Sequence, residues 1–382
     1  MQYRKFGSTG LTVSRLTLGT MTFGLQTDED VSRSIMDRAS DAGVNFIDTA
    51  DVYPLGGTHD IAGRTEEIVG RWLAGRRDRF ILATKAVGVM GPLDWNKGAS
   101  RKHLLDAIDA SLKRLNTDYV DLYQLHMDDR DTPLDETLEA LDVIVRQGKA
   151  RYIGVSNFLA YRLARALGRA DVLRTARFVS VQPRYNLLFR QIERELLPLA
   201  TEEALAVIPY NPLAGGLLTG KHRHDAAPSE GRFTAAVGKA GEMYQERYWH
   251  EREFQTIEKL KALVAPTGRS LANTSLAWVL ENPAVTSAII GASRPDQLDD
   301  HACRRRSAAR CRDQDEARRP DGGISLGRRA ALKPFIVRAA PDRSLRANRA
   351  PARPRSRRSR SADRARTPRD RSPRRSAIAA SA

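Results

Sequence analysis

Residues 80–126 read FILATKAVGVMGPLDWNKGASRKHLLDAIDASLKRLNTDYVDLYQLH. Phe80–Lys85 is a short apolar, β-favouring run, and Tyr119–Gln124 is a second one. Between them, Arg101–Leu115 sets Leu104, Leu105, Ile108 and Leu112 at helical spacing, with Ser100 placed to cap the first turn. A strand, a helix and a strand in that order make a parallel pair joined by a right-handed crossover.

The same unit continues on both sides of this stretch. A hairpin is expected first, from Tyr3–Phe6 and Thr12–Ser14 turning at Ser8–Gly10. Further strands are expected at Leu16–Leu18, Asn45–Asp48, Arg151–Val155, Phe178–Gln182, Ala206–Tyr210 and Ser287–Ile290. Helical patterns fill the gaps. Asp28–Ala42 opens on a Thr27 cap and closes near Gly43, and Thr65–Ala74, Leu134–Arg146, Ala160–Gly168 and Ile192–Glu203 follow. Trp249–Val264 and Leu271–Glu281 precede the last strand. Eight such units in about 300 residues favour an α/β fold closed as a (β/α)8 TIM barrel over an open doubly wound sheet.

The formal net charge of +17 over 382 residues suggests a nucleic-acid binder until it is divided. Residues 301–382 hold 25 of the 63 Lys and Arg and 7 of the 46 Asp and Glu, a balance of +18 that leaves the first 300 residues at −1. Two regions are therefore expected: a near-neutral barrel over 1–300, and a basic low-complexity tail over 301–382. The tail has too little apolar content for a core and is expected to be disordered. Periodicity and charge balance are lost together after Asp300. That abrupt change is what an out-of-frame product would give, and the last helix of the barrel is expected to be missing or altered. Both cysteines, Cys303 and Cys311, lie in the tail, which fits a reducing compartment. No run approaches the ~18 apolar residues of a membrane helix, and the start has no apolar signal region. The expected location is the cytoplasm, with no membrane association.

In a barrel of this kind, functional groups collect where the strands end. Three consecutive strands end in ionisable side chains. Asn45-Phe46-Ile47-Asp48 ends in a carboxylate, and the following loop brings Tyr53 back. The apolar strand before Lys85 ends in an ammonium, and Tyr123-Gln124-Leu125-His126 ends in an imidazole. Each residue alone is ordinary strand-end polarity. Together they are a candidate acid–base cluster.

At this level the first 300 residues resemble the aldo-keto reductase family. The resemblance rests on LTLGTMTFG (16–24), GVNFIDTADVY (43–53), LATK (82–85), LYQLHMDD (122–129), IGVSNF (153–158), VQPRYNLL (181–188), IPYNPLAGGLLTGK (208–221) and IIGASRPDQL (289–298). It implies a catalytic tetrad of Asp48, Tyr53, Lys85 and His126. NADPH would deliver hydride to an aldehyde or ketone carbon while the tyrosine protonates the oxygen. The expectation for Tyr53 is a pKa lowered toward neutrality by the Lys85 ammonium, since an opposite charge in contact shifts a pKa by about 1–3 units. Asp48 would keep Lys85 charged, and His126 would orient the carbonyl.

The resemblance also implies cofactor contacts. Gly19, Thr20, Met21 and Asp48 would line the mouth, and Ser156, Asn157 and Gln182 would bind the carboxamide. Tyr210 would stack on nicotinamide, and Leu213, Gly215 and Leu217 would approach the pyrophosphate. Ser293, Arg294 and Gln297 would receive the adenosine 2′-phosphate, which favours NADP over NAD. No metal is expected. Gly215–Lys221 imitates the start of a phosphate-binding loop, but His222 stands where Ser or Thr must bind magnesium. His301, Cys303 and Cys311 lack paired metal-ligand spacing.

Two other functions stand beside carbonyl reduction. Some members of the family are redox-sensing subunits of potassium channels that hold NADPH and turn over slowly. The arginine tail could bind nucleic acid through counterion release, but Phe335 is its only aromatic, so no sequence-specific binding is expected. The expected partner is a small carbonyl compound.

Overall fold

A computed structural model describes residues 1–228, 231–234 and 238–298. The expected tail, the final helix, and the positions His301, Cys303 and Cys311 lie outside these residues. Strand β1 (Tyr3–Lys5) pairs antiparallel with β2 (Thr12–Ser14) as a separate hairpin. The remaining strands are β3 (Leu16–Gly19), β4 (Phe46–Asp48), β5 (Ile81–Ala86), β6 (Val120–Leu125), β7 (Ala150–Ser156), β8 (Phe178–Gln182), β9 (Ala206–Val207) and β10 (Ala288–Ile290). They form one parallel sheet in the order β10-β3-β4-β5-β6-β7-β8-β9.

The two edges of this sheet meet. Thr286 N–H donates to the Val207 carbonyl at 2.8 Å and Ile289 N–H to the Pro209 carbonyl at 2.9 Å. The (β/α)8 fold expected from the alternation is therefore present. Ala206–Tyr210 was expected as one strand, yet regular pairing stops at Val207. Pro209 has no N–H to continue the ladder, and only isolated bonds carry on beyond it.

The helices are α1 (Glu29–Asp41), α2 (Arg64–Leu73), α3 (Arg101–Leu115), α4 (Leu134–Arg146), α5 (Ala160–Leu173), α6 (Leu196–Glu202), α7 (Lys239–Tyr248), α8 (Glu251–Val264) and α9 (Leu271–Glu281). Ser100 caps α3 as expected, accepting from His103 N–H. The cap of α1 is Asp28 instead of Thr27: its carboxylate accepts from Val31 N–H, while Thr27 is held in the preceding turn by Thr22 and Gly24. α5 runs five residues past Gly168, a glycine with open space around it and no backbone need to end a helix. Ile192–Glu203 divides into a short 3-10 turn at Gln191–Glu193 and α6. α7 was not expected, and Tyr244 and Tyr248 bury its inner face. Among the described residues, no helix is long and apolar enough to cross a membrane.

Alternation along the strands fills the barrel in two layers. Phe46, Ala83 and Leu122 form an apolar lower layer with Ala206 and Ile208. Phe6 and Val13 of the hairpin join that layer, and the Phe6 and Phe46 rings meet edge to face at 5.7 Å. The hairpin thus plugs the N-terminal end. Two residues further along their strands, Asp48, Lys85 and Gln124 occupy the same inward period, joined by Gln182 from β8. Intervening residues such as Leu82, Tyr123 and Val155 face outward into the main core under the helices.

Candidate active site

The upper layer is polar, buried and fully cross-linked. Lys85 Nζ donates to Asp48 Oδ2 at 2.5 Å and to the Thr49 carbonyl at 2.8 Å. Asp48 Oδ1 accepts from Gln124 Nε2 at 3.1 Å and from Gln182 Nε2 at 2.8 Å. Both carboxylate oxygens are satisfied, which is the condition for keeping an ion pair inside a barrel. Thr20 is tied to the same strand end, its N–H and hydroxyl both donating to the Asp48 carbonyl.

Tyr53 and His126 stand above this layer. Lys85 Nζ lies 5.1 Å from the centre of the Tyr53 ring, and the Tyr53 and His126 rings meet edge to face at 5.7 Å. The four side chains expected as a cluster are together at the C-terminal rim. The loop delivering Tyr53 is fixed at both ends, by Asp51 N–H donating to the Lys85 carbonyl and Gly63 N–H donating to the Tyr53 carbonyl.

The electrostatics differ from expectation for the tyrosine. Burial pushes the Tyr53 phenol well above 10, and the Asp48 and Tyr244 side chains push in the same direction, with Arg232 opposing. The expected lowering by Lys85 is overturned, because that ammonium is committed to Asp48 and its charge is largely cancelled. For His126, burial and then the nearby Lys85 ammonium lower the pKa from 6.5 to about 3, which favours the neutral imidazole. Its Nδ1 is buried with no hydrogen-bond partner. A neutral phenol and a neutral imidazole therefore face the mouth, with the one ion pair beneath them.

Asp51 gave no signal in the sequence beyond being one more loop carboxylate. It is completely buried, no side chain among the described residues donates to its carboxylate, and the Val52 backbone N–H is the donor beside it. Burial and the neighbouring Glu66 carboxylate raise its pKa, with Arg114 and Lys85 opposing. Glu66 is engaged with Thr84 on one oxygen and with Arg114 at 2.7 Å on the other.

A family profile described as the aldo/keto reductase family matches residues 15–303. The chain belongs to the aldo/keto reductase family. YrpG of Bacillus subtilis, an uncharacterized oxidoreductase, is 42% identical over 308 residues, covering 78% of this chain and 90% of its own length. A probable voltage-gated potassium channel subunit beta of Arabidopsis thaliana is 39% identical, covering 79% of this chain and 90% of its own. An L-glyceraldehyde 3-phosphate reductase of Escherichia coli is 34% identical, covering 79% and 86%.

The positions expected to contact a dinucleotide fall into four groups. Ser156 and Asn157 end β7 beside Gln182: Ser156 Oγ donates to the Gln182 carbonyl at 2.8 Å, and Asn157 Nδ2 donates to the His126 carbonyl at 3.0 Å. The Tyr210 hydroxyl donates to Asn157 Oδ1 at 2.7 Å. Gly19 is paired with Asp48, and the Met21 carbonyl accepts from Leu55 N–H, so both are fixed at the mouth.

Leu213, Gly215 and Leu217 lie in or beside the 3-10 segment Ala214–Thr219. Leu217 is buried in a second apolar cluster, so only its backbone is available to a ligand. Gly215 has φ +72° and a Cβ there would lie 2.7 Å from the Tyr244 ring, so both conformation and space demand glycine. Ser293 N–H donates to Gln297 Oε1 at 2.9 Å, and Arg294 is exposed with only a loose 3.6 Å contact to Asp296. Among the described residues, no group of acidic, histidine or cysteine side chains could hold a metal.

Arg232 was missed in the sequence. Its Nη1 donates to Asn211 Oδ1 at 3.2 Å, and its Nη2 lies 2.8 Å from where a Cβ on Gly291 would be. It thus reaches from the loop after β9 to the end of β10, with no carboxylate partner among the described residues. Phe233, fully buried beside it, anchors the loop. The nearest sequence signal was that one apolar residue in an irregular stretch.

Proposed function

We propose that this protein reduces aldehydes or ketones to alcohols with NADPH, with Tyr53 as the proton donor. The observation that carries the reading is the Tyr53 ring meeting His126 edge to face above the Lys85–Asp48 pair. When bound, NADPH supplies the hydride that adds to the carbonyl carbon. The chain supplies the proton and the geometry.

The residues at the rim suit that cofactor. Arg232 and Arg294 offer guanidinium groups to phosphate without a buried carboxylate to compete. Asn211 Nδ2 is buried and has no partner, as an acceptor on a bound ligand would require. Ser156, Asn157 and Gln182 would hold the carboxamide, and the Tyr210 ring would form the floor beneath nicotinamide. Ser293, Arg294 and Gln297 would take the 2′-phosphate, which is the reason for preferring NADP.

In the reaction, Tyr53 Oη donates its proton as negative charge develops on the carbonyl oxygen. His126, neutral, fixes the orientation of that oxygen by hydrogen bonding. The raised proton affinity of Tyr53 keeps the donor loaded before the step. Arg232, which opposes the rise in the Tyr53 pKa, favours the phenolate left afterwards, and Asp48 holds the Lys85 ammonium in place beneath the ring.

The test is NADPH oxidation across a panel of aldehydes and ketones, repeated with Tyr53→Phe. Wild-type turnover that the variant retains would end the role of Tyr53. A second reading follows from the similarity to a channel subunit beta: a cofactor-binding regulatory subunit with slow turnover. A single-turnover measurement separates the two, since the regulatory form would release oxidised cofactor far more slowly than it reacts.

A further inference from the structure

A pocket opens beside Tyr210; none of the four clustered residues lines it, although Asn157 and Tyr210 of the expected cofactor contacts do. Its volume is about 270 Å³, below the range of about 300–1,000 Å³ for drug-sized ligands, and it lies among the loops after β7, β8 and β9. Phe158, Phe189 and Tyr210 supply aromatic walls, and Arg184 and Arg247 supply the charge.

Both arginines are held on fixed backbone. Arg184 bridges to Tyr210 as an isolated parallel pair, and Tyr210 N–H donates to the Pro183 carbonyl at 2.9 Å. The Arg184 guanidinium lies flat on Phe189 at 3.6 Å from the ring centre. Arg247 belongs to α7, which is pinned on either side by the Tyr244 hydroxyl donating to Asn211 Oδ1 and by Asn186 Nδ2 donating to the Tyr248 hydroxyl. Most arginines of the barrel meet a carboxylate or a carbonyl. Arg184 and Arg247 do neither among the described residues, and Glu195 at the rim is exposed and bonded to neither. Both arginines line the same pocket as Tyr210, and both pull its phenol down against the burial that raises it to about 12.

We propose that this pocket binds a small aromatic carboxylate, its ring between Phe158, Phe189 and Tyr210 and its carboxylate on Arg184 and Arg247. A planar anion suits both halves of the lining. The ring replaces water on three aromatic faces, and two guanidinium forks can each take a carboxylate oxygen. The site goes beyond carbonyl reduction and stands whether or not that reading holds.

The experiment uses the full chain and two probes observed by fluorine NMR, 4-fluorobenzoate and its neutral isostere 4-fluorobenzamide. Benzoate is expected to bind at least tenfold more tightly than the amide. Arg247→Gln and Arg184→Gln are each expected to weaken it about tenfold, the scale of one charge-assisted hydrogen bond. The basic tail attracts benzoate but not the amide; it is common to the wild type and both arginine variants, so its contribution cancels in that comparison, which is the deciding one. Tyr53→Phe is expected to leave benzoate binding unchanged. Equal binding of the two probes, or no effect of either arginine substitution, overturns the proposal. Loss of benzoate with Tyr53→Phe also overturns it, because the anion would then sit at the carbonyl site.

Discussion

The Lys85 ammonium and the Asp48 carboxylate meet at 2.5 Å with 0% and 4% of their side chains exposed, and their surroundings are unequal. Asp48 has two further amide donors, whereas Lys85 has one further acceptor, the Thr49 carbonyl. Asp48→Asn is therefore expected to cost about 3–5 kcal/mol, the scale for stranding one member of a buried pair. Lys85→Met should cost less, since Gln124 and Gln182 still serve the carboxylate. Denaturant unfolding of both variants at neutral pH checks the order, and equal costs would contradict it.

Tyr53→Phe is expected to lower turnover by about 10²–10⁴-fold, the usual worth of a positioned general acid. The ring remains, so the contact with His126 and the affinity for NADPH should persist. Steady-state kinetics and a cofactor fluorescence titration on the same preparation separate the two effects.

His126 makes a prediction about acid. Folding lowers its pKa from 6.5 to about 3, so between those values the unfolded chain binds the extra proton. Its contribution to stability is complete above pH 6.5 and declines as pH falls toward 3. His126→Gln, which cannot titrate, should flatten the stability profile in that window. An unchanged slope in urea unfolding between these limits would refute the burial argument.

Arg232→Ala is expected to weaken NADPH by about 10–100-fold, matching a charge-assisted bond of about 1.5–3 kcal/mol. Its partner Asn211 stays in contact with Tyr244, so the loop keeps one of its anchors. Equilibrium binding of NADPH to the variant is the measurement, and a change under twofold would remove Arg232 from the cofactor site.

Phe6→Ala tests the plug at the other end of the barrel. Phe6 is 1% exposed and packed on Phe46, so its loss should cost about 3–5 kcal/mol. Activity per folded molecule should be unchanged, because Phe6 lies a full layer below Asp48. Thermal unfolding and kinetics below the transition together decide it.

The strand and helix alternation, and with it the barrel, was legible because period-two and helical patterns survive in a single sequence. Asp48, Lys85 and His126 were legible because each closes a strand. Other features were set by contacts distant in the chain. The proton affinity of Tyr53 depends on Tyr244 and Arg232, about 190 and 180 residues away in the chain, and on the charge of Lys85 being cancelled by Asp48. No local pattern encodes that balance. Arg232 and α7 sit in a long irregular excursion after Thr219, where polar composition hides which residue returns to the rim. Asp51 reads as a loop acid, and only its enclosure by α2 and β5 makes it exceptional.

The seam between β10 and β3 joins Ala288 to Leu16 and Ile290 to Leu18, residues some 270 positions apart. A ribosome has already released Tyr53, Lys85 and His126 when Val207 and Thr286 are still to come. At about 5–20 residues per second, the interval between His126 and Ile290 is on the order of ten seconds. Throughout it the nascent sheet has two unsealed margins. Closure that waits on pairings this distant in sequence is expected to make folding slow, with sheet edges exposed during synthesis.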